Sequence, residues 1–174
     1  MNHKKVVGGL LALFCFSLPA HAVDSWSFEA GGGESVDVWR IGAQWKWARK
    51  WFQSADWHLG GYWDAQLGQW DGNGGDNITD IGFTPTFRYQ RNSGLGPYVE
   101  GAIGFHLLSG KRITASKRFG GSFQFGDHIG VGYRFGDKGK YDLSARLQHH
   151  SDAGINKPNP GINFLLLRFQ YHMD

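Results

Sequence analysis

Trp57-His58-Leu59-Gly60-Gly61-Tyr62-Trp63-Asp64-Ala65-Gln66-Leu67 sorts into two sets by parity. Trp57, Leu59, Gly61, Trp63, Ala65 and Leu67 fall on one parity, and His58, Gly60, Tyr62, Asp64 and Gln66 on the other. Successive side chains of a strand point to opposite faces, so a two-residue period predicts a β-strand with one apolar face. The opposite face combines glycine, amide and carboxylate. A soluble sandwich needs an apolar interior, whereas a narrow membrane barrel is filled by small and paired polar side chains and turns its apolar face to lipid.

The same alternation recurs along the chain. Trp26, Phe28 and Ala30 form a first apolar set and Trp39, Ile41, Ala43, Trp45 and Trp47 a second, separated by Gly31-Gly32-Gly33. The stretch at 57–67 is the third, and Ile81, Phe83, Pro85, Phe87 and Tyr89 the fourth. Val99, Ile103, Phe105 and Leu107 are the fifth; Phe123, Phe125, Ile129, Val131, Tyr133 and Phe135 the sixth. Tyr141, Leu143, Ala145 and Leu147 are the seventh, and Leu165, Leu167, Phe169 and Tyr171 the eighth, where Phe164 and Leu166 make the second face less polar. Glu100, Arg40, Lys46, Arg88, Asp80, Asp64 and Arg146 share parity with glycines and are expected in the lumen. The strands run about 9 to 14 residues, and a tilted membrane-crossing strand needs about 9 to 11. The expected fold is therefore all-β: an eight-stranded antiparallel transmembrane β-barrel.

Composition agrees once the average is set aside. Of 174 residues, 16% are aromatic and only 19% charged, with 27 Gly against 5 Pro, which excludes a disordered chain, a collagen repeat and a coiled coil. The mean hydropathy of −0.39 looks soluble because alternation cancels in any window. Residues 1–22 have the form of a cleaved secretory signal: Lys4 and Lys5 lead a mostly apolar run from Val6 to Leu18, and Ala20-His21-Ala22 offers small residues at the cleavage positions. That run falls short of the roughly 20 residues a spanning helix requires. Residues 23–174 then form the barrel domain, without Cys15, the one cysteine. Losing Lys4 and Lys5 lowers the formal charge from +3 by two, to +1, so no nucleic-acid partner is expected.

With both termini on the inner side, the outer loops are 31–36, 71–77, 109–120 and 151–161, and the inner turns 48–56, 91–96 and 136–140. Trp39, Trp47, Trp57, Trp63 and Trp70 are expected in interfacial girdles. Asp127 falls on the apolar parity of the sixth strand, where a bulge or rim position is expected. His58, His106 and His128 have inward parity, lack a tight metal-ligand spacing, and are expected to be hydrogen-bonding residues of the lumen.

The apolar stripe of the seventh strand breaks at its outer end. After Leu147 the same parity holds His149 and Ser151, and Asn163 shares the parity of Leu165 and Leu167 on the neighbouring strand. A histidine base beside a serine hydroxyl is the minimum for acyl transfer, and the Asn163 amide oxygen can accept from the ring nitrogen remote from Ser151. Polar groups facing lipid are expensive unless they serve a purpose. The plainer reading of His-x-Ser is a strand entering the aqueous interface.

The fifteen residues His149-His150-Ser151-Asp152-Ala153-Gly154-Ile155-Asn156-Lys157-Pro158-Asn159-Pro160-Gly161-Ile162-Asn163 resemble the C-terminal signature of the lipid A 3-O-deacylase (PagL) family. Gly61-Tyr62-Trp63-Asp64 and Glu100-Gly101-Ala102-Ile103-Gly104 are similar to that family too. The resemblance implies an outer-membrane serine esterase on an eight-stranded barrel, which removes the ester-linked 3-hydroxyacyl chain at the 3-position of lipid A. It implies Ser151 as nucleophile and His149 as general base, with Asn159 and the backbone amide of Gly154 at the oxyanion positions. Asn163 stands where the family pattern has Glu, Asp152 where it has Asn, and the chain ends Met173-Asp174 in place of a terminal aromatic.

The expected substrate is lipid A within lipopolysaccharide, reached laterally through outer-membrane lipid, and a second copy of the chain is an expected homodimer partner. Lys111, Arg112, Lys117 and Arg118 in the third outer loop are candidates for its phosphates. No cofactor and no metal are expected. The rival readings are a structural or adhesive barrel without catalysis, and a barrel phospholipase or acyltransferase.

Overall fold

In a computed structural model, residues 22–173 are described; the proposed signal at 1–22 lies, apart from Ala22, outside them. The strands are β1 (Ser25–Gly33), β2 (Val36–Lys46), β3 (Trp57–Gly72), β4 (Asn77–Arg91), β5 (Gly96–Leu108), β6 (Phe123–Phe135), β7 (Tyr141–Ser151) and β8 (Ile162–His172). Each pairs antiparallel with the next, and β1 pairs with β8, so the sheet closes and no edge is left open. No helix among the described residues is long and apolar enough to cross a membrane; the crossings are made by strands.

Alternation places the faces as the period requires. Leu147, Val131, Leu165, Leu167 and Ile129 are all more than half exposed on the outer wall, an apolar surface suited to lipid and not to water. The lumen is a network of buried ions. Arg40 bonds Glu29 and Asp80, Arg88 bonds Glu100 and Asp142, Arg146 bonds Glu29 and Glu100, and Arg168 bonds Asp64. Cross-strand register sets the partners: Glu29 faces Arg40 on β2 and Arg168 on β8, and Arg88 faces Glu100. Buried charges persist only when paired and hydrogen-bonded, so these contacts fix the register of strands far apart in sequence.

The outer end of the lumen differs. Val36, Val38, Trp70, Ile78, Leu108, Phe164 and Leu166 meet Ile113 and Phe119, which the third outer loop folds inward. This apolar plug accounts for the weakly polar second face of β8. It also corrects the expected girdle, because Trp70 is buried. Trp70 shares parity with Gln66 and Gly68, its indole donates to Asp80 at 3.2 Å, and its ring packs on Phe164. Trp39 and Trp63 do face outward. Of the two expectations for Asp127, a bulge or a rim position, the bulge is excluded: β6 runs in unbroken register through it, opposite Ile103 on β5 and His149 on β7. Its carboxylate belongs to the outer wall beside the break in the stripe.

Candidate active site

β7 carries Leu147, His149 and Ser151 along one outward face, and Ser151 is its last residue. His149 is the register partner of Asn163 on β8, and Ser151 of Phe125 on β6. Across the β7–β8 ladder, His149 Nδ1 lies 2.8 Å from Asn163 Oδ1. A carbonyl oxygen only accepts, so Nδ1 donates and carries the ring proton. The lone pair is therefore on Nε2, the nitrogen left for Ser151, which follows two residues along the same face.

The loop after β7 is organised by Asp152, whose inward parity is expressed as near-complete burial. Its carboxylate accepts from the backbone N–H of Gly154 at 3.0 Å and of Asn156 at 2.8 Å, while its own N–H donates to Asn159 Oδ1 at 3.2 Å. The two oxyanion positions thus differ. The Gly154 amide already donates to Asp152, a departure from its expected role. Asn159 uses its oxygen to hold the loop, which leaves its Nδ2 as the donor that can face a developing alkoxide. Gly161 closes the loop at φ +64°, with its Cα against the His149 ring.

Of the four basic residues of the third outer loop, Arg112 and Arg118 face each other across an antiparallel bridge, and the other two make contacts of their own. Arg112 pairs with Asp76 at 2.9 Å, and Lys111 Nζ donates to the Gly120 carbonyl at 3.3 Å. Lys117 pairs with Glu34 and donates to the Gly161 carbonyl at 3.0 Å, so its charge is engaged at the site's edge. Arg118 is exposed. A groove of about 1020 Å³ runs along the outer wall beside His149 and Asn163, lined by Phe87, Gly101, Ile103, Ile129, Leu147 and Leu165 among others. Its walls suit an acyl chain.

Among the described residues, one group in the lumen has metal-ligand chemistry: Asp80, His106 and His150 bring three ligand atoms within 4.8 Å of one another. The Arg40 guanidinium bonds both Asp80, at 3.0 Å, and His150 Nε2, at 3.2 Å, so a cation there would sit against a fixed positive charge. The cluster fits a hydrogen-bonded network better than a metal centre. His58 likewise bonds Asn92 at 2.9 Å.

Against known sequences and structures, the sequence model of the Lipid A 3-O-deacylase (PagL) family matches residues 37–172. The chain belongs to this deacylase family. A lipid A deacylase of Pseudomonas aeruginosa is 33% identical over 145 residues, 82% of each chain, and one of Bordetella bronchiseptica is 40% identical over 87 residues, half of this chain and 46% of that one. The crystal structure of the outer membrane enzyme PagL superposes with a TM-score of 0.77 at 31% identity, covering 86% of this chain and 99% of that one.

Within this deacylase, three residues beside the break in the stripe were not among the sequence candidates. Asp127 is the outward neighbour of His149 in the register, and its odd parity was the available signal. Gly161 is the surface the imidazole rests on. Glu34, in the turn between β1 and β2, accepts from both the backbone N–H and the side-chain amide of Asn163. A turn has no periodicity from which that contact could be read.

Proposed function

We propose that this chain, an outer-membrane lipid A 3-O-deacylase, is a serine esterase in which Ser151 is the nucleophile, His149 the general base and Asn163 the residue that orients the base. The supporting observation is the 2.8 Å contact between His149 Nδ1 and Asn163 Oδ1 on the lipid-facing wall, with Ser151 next on the same face. His149 Nε2 takes the proton of Ser151 Oγ as Oγ attacks the ester carbonyl carbon. The resulting alkoxide is met by donors of the 152–161 loop, with Asn159 Nδ2 the one on hand. Collapse breaks the bond to the sugar oxygen, which takes the proton from His149 and leaves as the 3-hydroxyl. His149 then deprotonates a water that attacks the acyl-serine, releasing the fatty acid and restoring Ser151.

The position suits the substrate. Lipid A presents its acyl esters laterally at the outer leaflet, where the outer ends of β7 and β8 lie, and the apolar groove beside His149 receives the chain. Mass spectrometry of lipid A after exposure to the protein tests the reading. Loss of one 3-hydroxyacyl chain is expected with the native chain and none with Ser151→Ala, which should remain a heat-modifiable barrel. Full activity in Ser151→Ala would remove the nucleophile assignment, and an unchanged lipid A profile from the folded native protein would favour a structural barrel.

A further inference from the structure

We propose that Glu34, in the β1–β2 turn, is a positioning residue of the catalytic relay: it fixes which way the Asn163 amide faces, and through it which nitrogen of His149 keeps the proton. The proposal rests on the reading of Ser151, His149 and Asn163 given above.

An asparagine in the third position is ambiguous where a carboxylate is not. With Oδ1 toward the ring it holds the proton on Nδ1 and leaves Nε2 basic. Turned over, its NH2 would donate to Nδ1 and move the proton to Nε2, the tautomer that cannot accept from Ser151. Glu34 removes the ambiguity. Its Oε1 accepts from Asn163 Nδ2 at 3.1 Å and from the Asn163 backbone N–H at 2.8 Å. A carboxylate cannot donate, so the NH2 must face Glu34 and Oδ1 must face His149.

The surroundings are built to hold Glu34 there. Glu34 and Ser35 form a two-residue turn with φ of 53° and 66°, positions that favour Asn and Gly. Two non-glycine residues in that conformation persist where other contacts determine it. Those contacts are present: Lys117 pairs with Glu34 and donates to the carbonyl of Gly161, the residue under the His149 ring. Gly33 lets the hairpin approach β8, since a Cβ there would stand 2.2 Å from the Asn163 carbonyl oxygen. The Lys117 hydrogen bond, opposed by partial burial and helped by the Asn163 N–H, holds the Glu34 carboxyl below its ordinary range, so it is an acceptor at neutral pH. Because Lys117 also balances its charge and solvent reaches the pair, the effect is orientation first and field second. Asp127 is the other carboxylate near His149, on β6, and has no contact with the Asn163 amide among the bonds of the described residues.

Kinetics and the imidazole 15N spectrum of His149 in detergent test this, with heat-modifiability as the fold check. Glu34→Ala should lower kcat on the order of tenfold or more, short of the roughly 10⁴ lost when a serine triad is locked in the wrong tautomer. KM should change little and the spectrum should show mixed tautomers. Glu34→Gln can still accept from Asn163 Nδ2 and should lose less. In an Asn163→Glu background the same Glu34→Gln should be neutral or raise kcat, because two carboxylates would then face each other. Native kcat and tautomer in both Glu34 variants, with Ser151→Ala inactive, would overturn the role of Glu34 alone. Equal losses from Glu34→Gln in both backgrounds would reduce it to a structural contact. Activity in Ser151→Ala would instead sink the underlying esterase reading.

Discussion

The His149 ring occupies the space a side chain on Gly161 would fill: a Cβ there would stand 2.7 Å from His149 Cε1 and 3.3 Å from Nε2. Gly161 also sits at φ +64°, where an L-residue is strained by roughly 1–2 kcal/mol. Gly161→Ala should therefore displace the His149 ring and slow deacylation, and a misplacement near 1 Å costs on the order of 10²-fold. Gly94→Ala at φ +73°, in an inner turn with no neighbour closer than 3.5 Å, imposes similar strain without touching the site. Comparable rates for the two variants would show that the His149 contact does not matter.

Gly101 forms a dent in the outer wall between its register partners Phe87 and Ile129. A Cβ there meets nothing closer than 3.7 Å, so the barrel accepts a side chain. Gly101→Met should fold normally and fill part of the groove. Its expected signature is a shift of preference toward shorter acyl chains, measured by turnover of lipid A species of different chain length. An unchanged profile would place the acyl chain elsewhere on the wall.

The tie between the first hairpin and β8 should persist to a lower pH than an ordinary carboxyl would allow. Glu34 is held below the ordinary value of 4.5, first by its hydrogen bond from Lys117. A depressed carboxyl contributes stability above its unfolded pKa and loses it as pH falls through the folded value. The Asn163 backbone N–H, which donates to Glu34, should report that titration in a 1H–15N spectrum with a midpoint below 4.5. Lys117→Met should move the midpoint upward. A midpoint at the ordinary value in the native chain would mean the pair is not formed in solution.

The strands were legible because period two is a local signal that also sets which face each residue takes. Trp70 shows where residue type misleads: as an aromatic near a strand end it suits a girdle, but its parity with Gly68 sends it to the plug. Phe164 and Leu166 blur the alternation of β8 for the same reason, since Ile113 and Phe119 from a loop make that end of the lumen apolar. His149, Ser151 and Asn163 were visible as polar residues on an apolar stripe. Glu34 was not, because its contact with Asn163 spans 129 residues and exists only when the first and last strands close the barrel.

The lumen network gives a prediction separable from catalysis. Arg88 is buried and bonds Glu100 at 2.9 Å and Asp142 at 2.7 Å, with Tyr98 beneath its guanidinium at 3.8 Å. Arg88→Met keeps most of the volume but leaves two carboxylates with one fewer partner. Glu100 retains Arg146, whereas Asp142 retains only Tyr98 and His172 among the described contacts. Breaking a buried pair from one side costs about 3–5 kcal/mol, in contrast to replacing the whole pair with apolar residues. Urea unfolding in lipid vesicles should therefore show a loss of that order for Arg88→Met, and a much smaller one for the exposed Arg112→Met, whose pair with Asp76 is solvated. Deacylation per folded molecule should be unchanged in Arg88→Met, since Arg88 pairs in register with Glu100, several residues inward from His149 along the strands. Equal stability losses in the two variants would show that burial does not set the strength of the lumen pairs.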